Sequence, residues 1–304
     1  MAAGIGGRTV SSAYAPVRLW LVLPSWLIIG FFLLLPVLLM LVYSFLTKEF
    51  RGGVIWEFSL GAYDQFLFDR GLFGDEPPSI EWTYITIYAR SIIQAAVATI
   101  ICLVIGFPTA WYIATRPART RSIWLFLVTI PYWVNLLIRT VSMKFLIREN
   151  GPLNEGLMGI GLIDTPLQLI NTDFAVQLGL FYSYLPFMVL PIYAAVERYN
   201  FALSEAGADL YASRWTIMRR IVLPVVKPGI IAGCILVFVP SLGAFLAPDL
   251  LGGAKNWMIG SLIEDQFKGA AGNWPFGAAA GMILLSMVLV ALFFYARAQA
   301  KEQV

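Results

Sequence analysis

Six apolar runs, at residues 19–46, 84–114, 123–146, 174–196, 229–246 and 276–296, dominate this chain. Each reaches or approaches the roughly 20 residues that a helix needs to cross a bilayer core. Inside lipid every backbone N–H and C=O must be paired within the segment, so runs of this kind fold as helices. With 59% hydrophobic and 13% charged residues in 304, a soluble domain could not hide its apolar surface. The expected fold is therefore all-α: a polytopic membrane protein with residues 1–18 as a cytoplasmic N-terminus and 19–304 as one six-span domain. The first run exceeds the 7–15 residues of a signal-peptide core and no small-residue cleavage site follows, so it is expected to stay in the mature protein.

The connecting segments set the orientation. With both termini inside, the cytoplasmic segments carry twelve bases: Arg8, Arg18, Arg116, Arg119, Arg121, Arg198, Arg214, Arg219, Arg220, Lys227, Arg297 and Lys301. The outer segments carry six, namely Lys48, Arg51, Arg70, Arg148, Lys255 and Lys268. That excess predicts cytoplasmic termini. Acids run the other way, fourteen outside (Asp75, Glu76, Asp164, Asp249, Glu264 and Asp265 among them) against four inside.

Several functions are disfavoured by what is missing. The chain has no histidine, and Cys102 and Cys234 both fall in apolar runs, so no Cys/His metal pattern exists. Without histidine the commonest general base is gone, which argues against a membrane enzyme. The net charge of +3 is not pooled into a basic tract, so a nucleic-acid role has no support. Gly229 and Gly233, like Gly277 and Gly281, are spaced for close helix packing.

The loop at 197–228 is polar yet helically patterned. Ser204 is placed to cap a helix with Glu205 in its first turn, and Tyr211, Trp215, Met218 and Val222 recur as one apolar stripe. Leu223-Pro224 is expected to end the helix. Such a helix either lies on the membrane surface or docks in a groove on a soluble partner.

Glu205-Ala206-Gly207, followed in register by Ile221, Leu223 and Pro224, resembles the loop signature of ABC-importer permeases. Gly207 replaces the signature's second alanine and Tyr211 its glycine. Three further stretches are similar to spermidine/putrescine permeases: Ile130-Pro131-Tyr132-Trp133-Val134-Asn135-Leu136-Leu137-Ile138-Arg139, Asn150-Gly151-Pro152-Leu153-Asn154, and Ile163-Asp164-Thr165-Pro166. The densest match is Asp249-Leu250-Leu251-Gly252-Gly253-Ala254-Lys255-Asn256, with Ile259-Gly260 and Trp274-Pro275-Phe276-Gly277-Ala278-Ala279. The outer loop 47–83 matches less clearly.

The resemblance implies a type I ABC-importer permease of the inner membrane, working with a second homologous permease, two ATPase subunits and a periplasmic substrate-binding protein. It implies that the 197–228 loop couples to the ATPase through Glu205, Ala206, Gly207, Tyr211, Trp215, Ile221, Leu223 and Pro224. No GxxxxGK[ST] loop is present, so ATP and Mg²⁺ are expected on the partner ATPase and no cofactor on this chain. The implied cargo is a polyamine, a multiple cation whose path favours carboxylates and aromatic faces. Asp249, Phe245, Tyr184, Trp133 and Asn135 are the candidates, against ordinary packing, an interfacial aromatic belt or, for Asp249, a solvated helix end. Arg90, Arg139 and Lys144 are expected to snorkel. The competing functions are a permease for another small solute such as an opine, and an ion-coupled secondary transporter, which should show inverted repeats and mid-membrane acids.

Overall fold

The computed structural model describes residues 15–49, 52–69, 79–253, 256–268 and 272–302. The positions read above as Arg8, Arg51, Arg70, Asp75, Glu76, Ala254 and Lys255 lie outside them. The chain divides into two compact units, Met1–Gln65 with Ala270–Val304, and Phe66–Gly269.

In the first unit, α1 (Ala15–Tyr43) packs against α12 (Trp274–Glu302). Trp26 and Phe32 of α1 stand exposed, as expected of a helix whose solvent is lipid. A short hairpin, β1 (Leu46–Lys48) and β2 (Val54–Phe58), follows α1, with Phe45 stacked on Phe58 and the Tyr63 hydroxyl donating to Ser44 at 2.9 Å. Sequence periodicity had given no sign of this hairpin within the outer loop.

The second unit is built on α3 (Trp82–Ala114), α7 (Asp173–Glu197) and α10 (Leu223–Leu242), which pack against one another. Cys102, Ala110, Ile113, Met188, Ile192, Val222, Val226 and Val237 form its buried core. Lipid is as apolar as these side chains, so their association gains little from exclusion of water and rests on close van der Waals contact. Small residues permit that contact. A Cβ added to Gly229 would lie 2.4 Å from the Ala195 Cβ and 2.8 Å from the Pro191 carbonyl oxygen.

Polar side chains fasten both ends of the α3–α7 pair. At one end Arg90 pairs with Asp173 at 2.7 Å and also reaches Asn256, while Gln94 donates to the same Asp173 oxygen at 2.8 Å. Arg90 is thus an ion-paired staple rather than a snorkelling cation. At the other end Arg121 of α4 (Ala118–Trp133) pairs with Glu197 at 2.8 Å and donates to the Ala114 carbonyl, satisfying an open carbonyl at the end of α3. The Tyr193 hydroxyl completes the cluster, donating to Glu197 at 2.7 Å.

Among the described residues, five helices are long and apolar enough to span a membrane, and a bent pair makes a sixth if it is counted as one span. The span expected at 123–146 is not one helix but Ala118–Trp133 followed by Leu136–Gly159, bent by 91°. Val134 takes an extended conformation, and Asn135 starts α5 (Leu136–Ile147) by accepting from the Leu137 N–H at 2.9 Å. A capping residue in mid-run restarts the helix in a new direction, a boundary that hydropathy averages away.

Candidate functional site

The 197–228 loop is two helical pieces, not one amphipathic helix. Its first piece, α8 (Ala202–Asp209), is opened by Asn200, whose side-chain oxygen accepts from the Ala202 N–H at 3.1 Å. Ser204, expected as the cap, instead shares a 2.7 Å hydrogen bond with the Tyr199 hydroxyl. Phe201 sets its ring edge-on against Trp111 of α3 and Tyr199, which ties the start of α8 to the bundle.

The end of α8 explains why glycine is usual at the position of Tyr211. The Tyr211 N–H donates to the Ala208 carbonyl at 2.9 Å and the Ala212 N–H to the Gly207 carbonyl at 3.1 Å. This paired closure puts residue 211 in the left-handed region, and Tyr211 has φ of 59°. A side chain there costs about 1 kcal/mol. The ring itself is 98% exposed and contributes no packing within the chain. Tyr211→Gly is therefore expected to stabilise the isolated chain by about 1 kcal/mol, raising the Tm in detergent by about 2 °C. An unchanged or lower Tm would mean that the turn is not strained.

Ser213 caps the second piece by accepting from the Thr216 N–H at 3.2 Å. Helix α9 (Arg214–Ile217) then runs through a π-helical turn, π1 (Met218–Val222), directly into α10, giving one continuous helix, Arg214–Leu242. The expected stop at Leu223-Pro224 does not occur. The Leu223 N–H reaches back to the Met218 carbonyl, and this wider turn accommodates Pro224, which has no N–H to give.

The candidate coupling residues divide by exposure. Glu205, Ala206, Tyr211 and Trp215 are exposed, as is Leu210, and Pro224 also faces outward. Gly207 is buried, with a hypothetical Cβ 2.9 Å from Ile221 Cδ1 and 3.3 Å from Ile217 Cγ1. Ile221 and Leu223 are half-buried and Val222 fully buried. The stripe of Tyr211, Trp215, Met218 and Val222 thus runs from complete exposure into the core and is not one docking face.

The candidate path residues separate too. Trp133, Asn135 and Tyr184 come together with Tyr132, Phe187 and Arg139 around a cavity of about 450 Å³ at the bend of the broken span. The Tyr132 and Phe187 rings meet edge-on at 5.1 Å, and the Tyr184 hydroxyl donates to the Pro240 carbonyl. Phe245 and Asp249 are not among the lining residues. Phe245 already carries a cation near its ring, the Lys268 ammonium, 5.8 Å from the centroid. Asp249 lies exposed on a second π-helical turn, π2 (Pro248–Gly252). Just beyond π2, Gly253 adopts φ of 65°, and Asn256 donates to the Asn171 carbonyl at 3.1 Å. In the densest sequence match, Leu251 and Asn256 therefore staple the backbone to Asn171, just ahead of α7, a role that spacing alone did not reveal.

Residues 83–301 match the family described as binding-protein-dependent transport system inner membrane component. Over 274 residues the chain is 40% identical to the spermidine/putrescine transport system permease protein PotB of Escherichia coli (strain K12), covering 90% of this chain and 94% of that one. Two solved structures are alike in fold at 20% identity. One is a bacterial ABC transporter involved in the import of the acidic polysaccharide alginate, with a TM-score of 0.62 over 92% of this chain and 96% of its own. The other is a bacterial alginate ABC transporter in complex with an alginate pentasaccharide-bound periplasmic protein, with a TM-score of 0.57 over 93% and 96%.

Proposed function

The chain belongs to the binding-protein-dependent transport system inner membrane components, and we propose that it is the permease of an ATP-driven polyamine importer. The observation that carries the cargo is the 40% identity, over nine-tenths of the chain, to a spermidine/putrescine permease. An ion-coupled transporter is not favoured. In this reading both termini face the cytoplasm, and a second homologous permease completes the translocation path. A periplasmic binding protein delivers cargo from outside. Two ATPase subunits hold the ATP and Mg²⁺, and this chain is a transport subunit rather than an enzyme.

Force enters at the loop. Exposed Glu205, Tyr211 and Trp215 offer an acid and two aromatic faces to a cleft on the ATPase, while buried Gly207 seats α8 on the helix that becomes α10. ATP binding on the partner favours one of two arrangements of this bundle, and the loop carries that preference inward. Cargo ammonium groups would meet the π faces of Trp133, Tyr184 and Phe187 at the bend, an interaction strengthened by exclusion of water.

Co-purification tests the central claim. The chain should retain an ATPase subunit through detergent extraction, and Glu205→Arg should weaken that retention roughly tenfold by setting a cation where an acid docks. Equal retention after deletion of residues 202–213, or uptake by this chain alone in vesicles without ATP, would overturn it.

A further inference from the structure

Two arginines at the corner between α3 and α4, Arg116 and Arg119, are exposed, and among the described residues neither pairs with an acid. Arg139 is the contrast. Expected to snorkel, it is only 7% exposed and enclosed by this chain's own atoms, so that expectation is corrected. The third arginine of the corner, Arg121, is already paired with Glu197. It also donates to the carbonyls of Ala114 and Arg116, at 2.9 and 3.2 Å, which fixes the backbone on which Arg116 stands.

Both free arginines end apolar rows. On α3, Ile100, Val104, Pro108 and Tyr112 are exposed at every fourth residue, and the same spacing arrives at Arg116 just past the helix end. On α4, Arg119 opens a row continued by exposed Ile123, Leu127 and Ile130. Exposed apolar rows on spanning helices meet acyl chains, so each arginine stands where such a row runs into headgroups. Between the rows, Tyr112 and Trp124 meet edge-on at 5.5 Å, and both are exposed, as aromatic residues at headgroup level are. The Arg116 guanidinium carbon lies 4.0 Å from the centre of the Tyr112 ring. Stacked on that face, the group keeps its in-plane N–H donors free, a fork that matches two phosphate oxygens. We infer that this corner binds the phosphate of an anionic phospholipid in the inner leaflet. Arg116 and Arg119 hold the headgroup, and Tyr112 and Trp124 lie against the glycerol and upper acyl chains. A soluble partner would meet the arginines but not the rows below them, whereas a lipid presents charge, interface and hydrocarbon in that order. The site needs only the membrane-spanning fold; its placement in the inner leaflet rests on the proposed cytoplasmic termini.

The test titrates the full chain, purified in a neutral detergent, with phosphatidylglycerol and separately with phosphatidylcholine, and counts retained lipid by native mass spectrometry. Phosphatidylglycerol should bind more tightly, by about fivefold for each arginine and roughly 25-fold for the two together. Arg116→Gln and Arg119→Gln should each remove one such factor, and the double variant should show no preference. Replacing both by lysine should keep most of it, which a misfolded corner would not. About 1 M salt should abolish the preference of the parent, because the screening length falls to about 3 Å. An equal preference in the parent and the double glutamine variant overturns the site. So does displacement of phosphatidylglycerol by inorganic phosphate at matched concentration, since a bare anion site has no use for acyl chains. Binding that is present in the chain alone but lost in the assembled importer also overturns it, and assigns the rows to the second permease. Failure of the importer to assemble or to move spermidine counts against the proposed function instead, and leaves the lipid measurements on the chain itself to decide the site.

Discussion

Gly229→Val is expected to leave almost no folded protein in the membrane. The first added carbon alone would sit 2.4 Å from the Ala195 Cβ and 2.8 Å from the Pro191 carbonyl oxygen, and neither neighbour is the movable end of a long side chain. Relief requires α7 and α10 to separate. That separation would also disturb Gly233, where an added Cβ would meet Met188 Sδ at 2.8 Å. Ordinary overpacking costs about 1–3 kcal/mol, and a clash against backbone belongs at or above the top of that range. Since most domains are stable by only about 5–15 kcal/mol, even Gly229→Ala should lower the Tm, and valine should abolish recovery of monodisperse protein. Gly30 in α1 is the control, with nothing within 4 Å of its hypothetical Cβ. Gly30→Ala should express at the parent level, because it changes a membrane-helix glycine without touching a contact. Similar yields for the two sites would show that close approach of α7 and α10 does not hold the bundle.

That packing was legible in the sequence only as a spacing. Gly229 and Gly233 announce a close helix contact, but neither names its partner, which a single chain's hydropathy cannot supply. Span positions were legible because twenty apolar residues in lipid have essentially one fold. The break at Val134-Asn135 was not, because an extended residue and a cap can sit inside an apolar run without lowering its hydropathy. The loop shows the same limit at finer scale. Glu205-to-Pro224 spacing located it, yet the periodic stripe suggested one helix where a left-handed residue at Tyr211 divides two. A stop at proline was a sound local expectation, overridden by a π-helical turn whose longer reach needs no N–H from Pro224. Exposure then separated residues that the motif had grouped together: Glu205 and Tyr211 face outward, and Gly207 faces Ile217 and Ile221.

The double variant Ile217→Ala with Ile221→Ala should uncouple ATP hydrolysis from uptake while leaving the ATPase bound. The docking residues proposed above, Glu205, Tyr211 and Trp215, are untouched by it, and both helical pieces keep good helix formers. What it removes is the contact between them. Gly207 has no side chain, so α8 rests there on Ile221 Cδ1 and Ile217 Cγ1. Emptying both positions leaves a void that α8 can move into before anything beyond it moves. Beyond it lies the continuous helix Arg214–Leu242, fixed in the core by Val222, Val226 and Val237, so a push that reaches residue 217 should reach the core as well. Driving a two-state bundle decisively takes about 5.5 kcal/mol of bias, and losing half of it should lower the favoured-to-disfavoured ratio roughly a hundredfold. The expected result is thus ATPase retention near the parent level, with spermidine transported per ATP hydrolysed down roughly a hundredfold. Parallel loss of retention and uptake would mean that these isoleucines serve docking. Unchanged transport per ATP would mean that the force bypasses Gly207, and the route from loop to span would have to be sought through Phe201 and Trp111 instead.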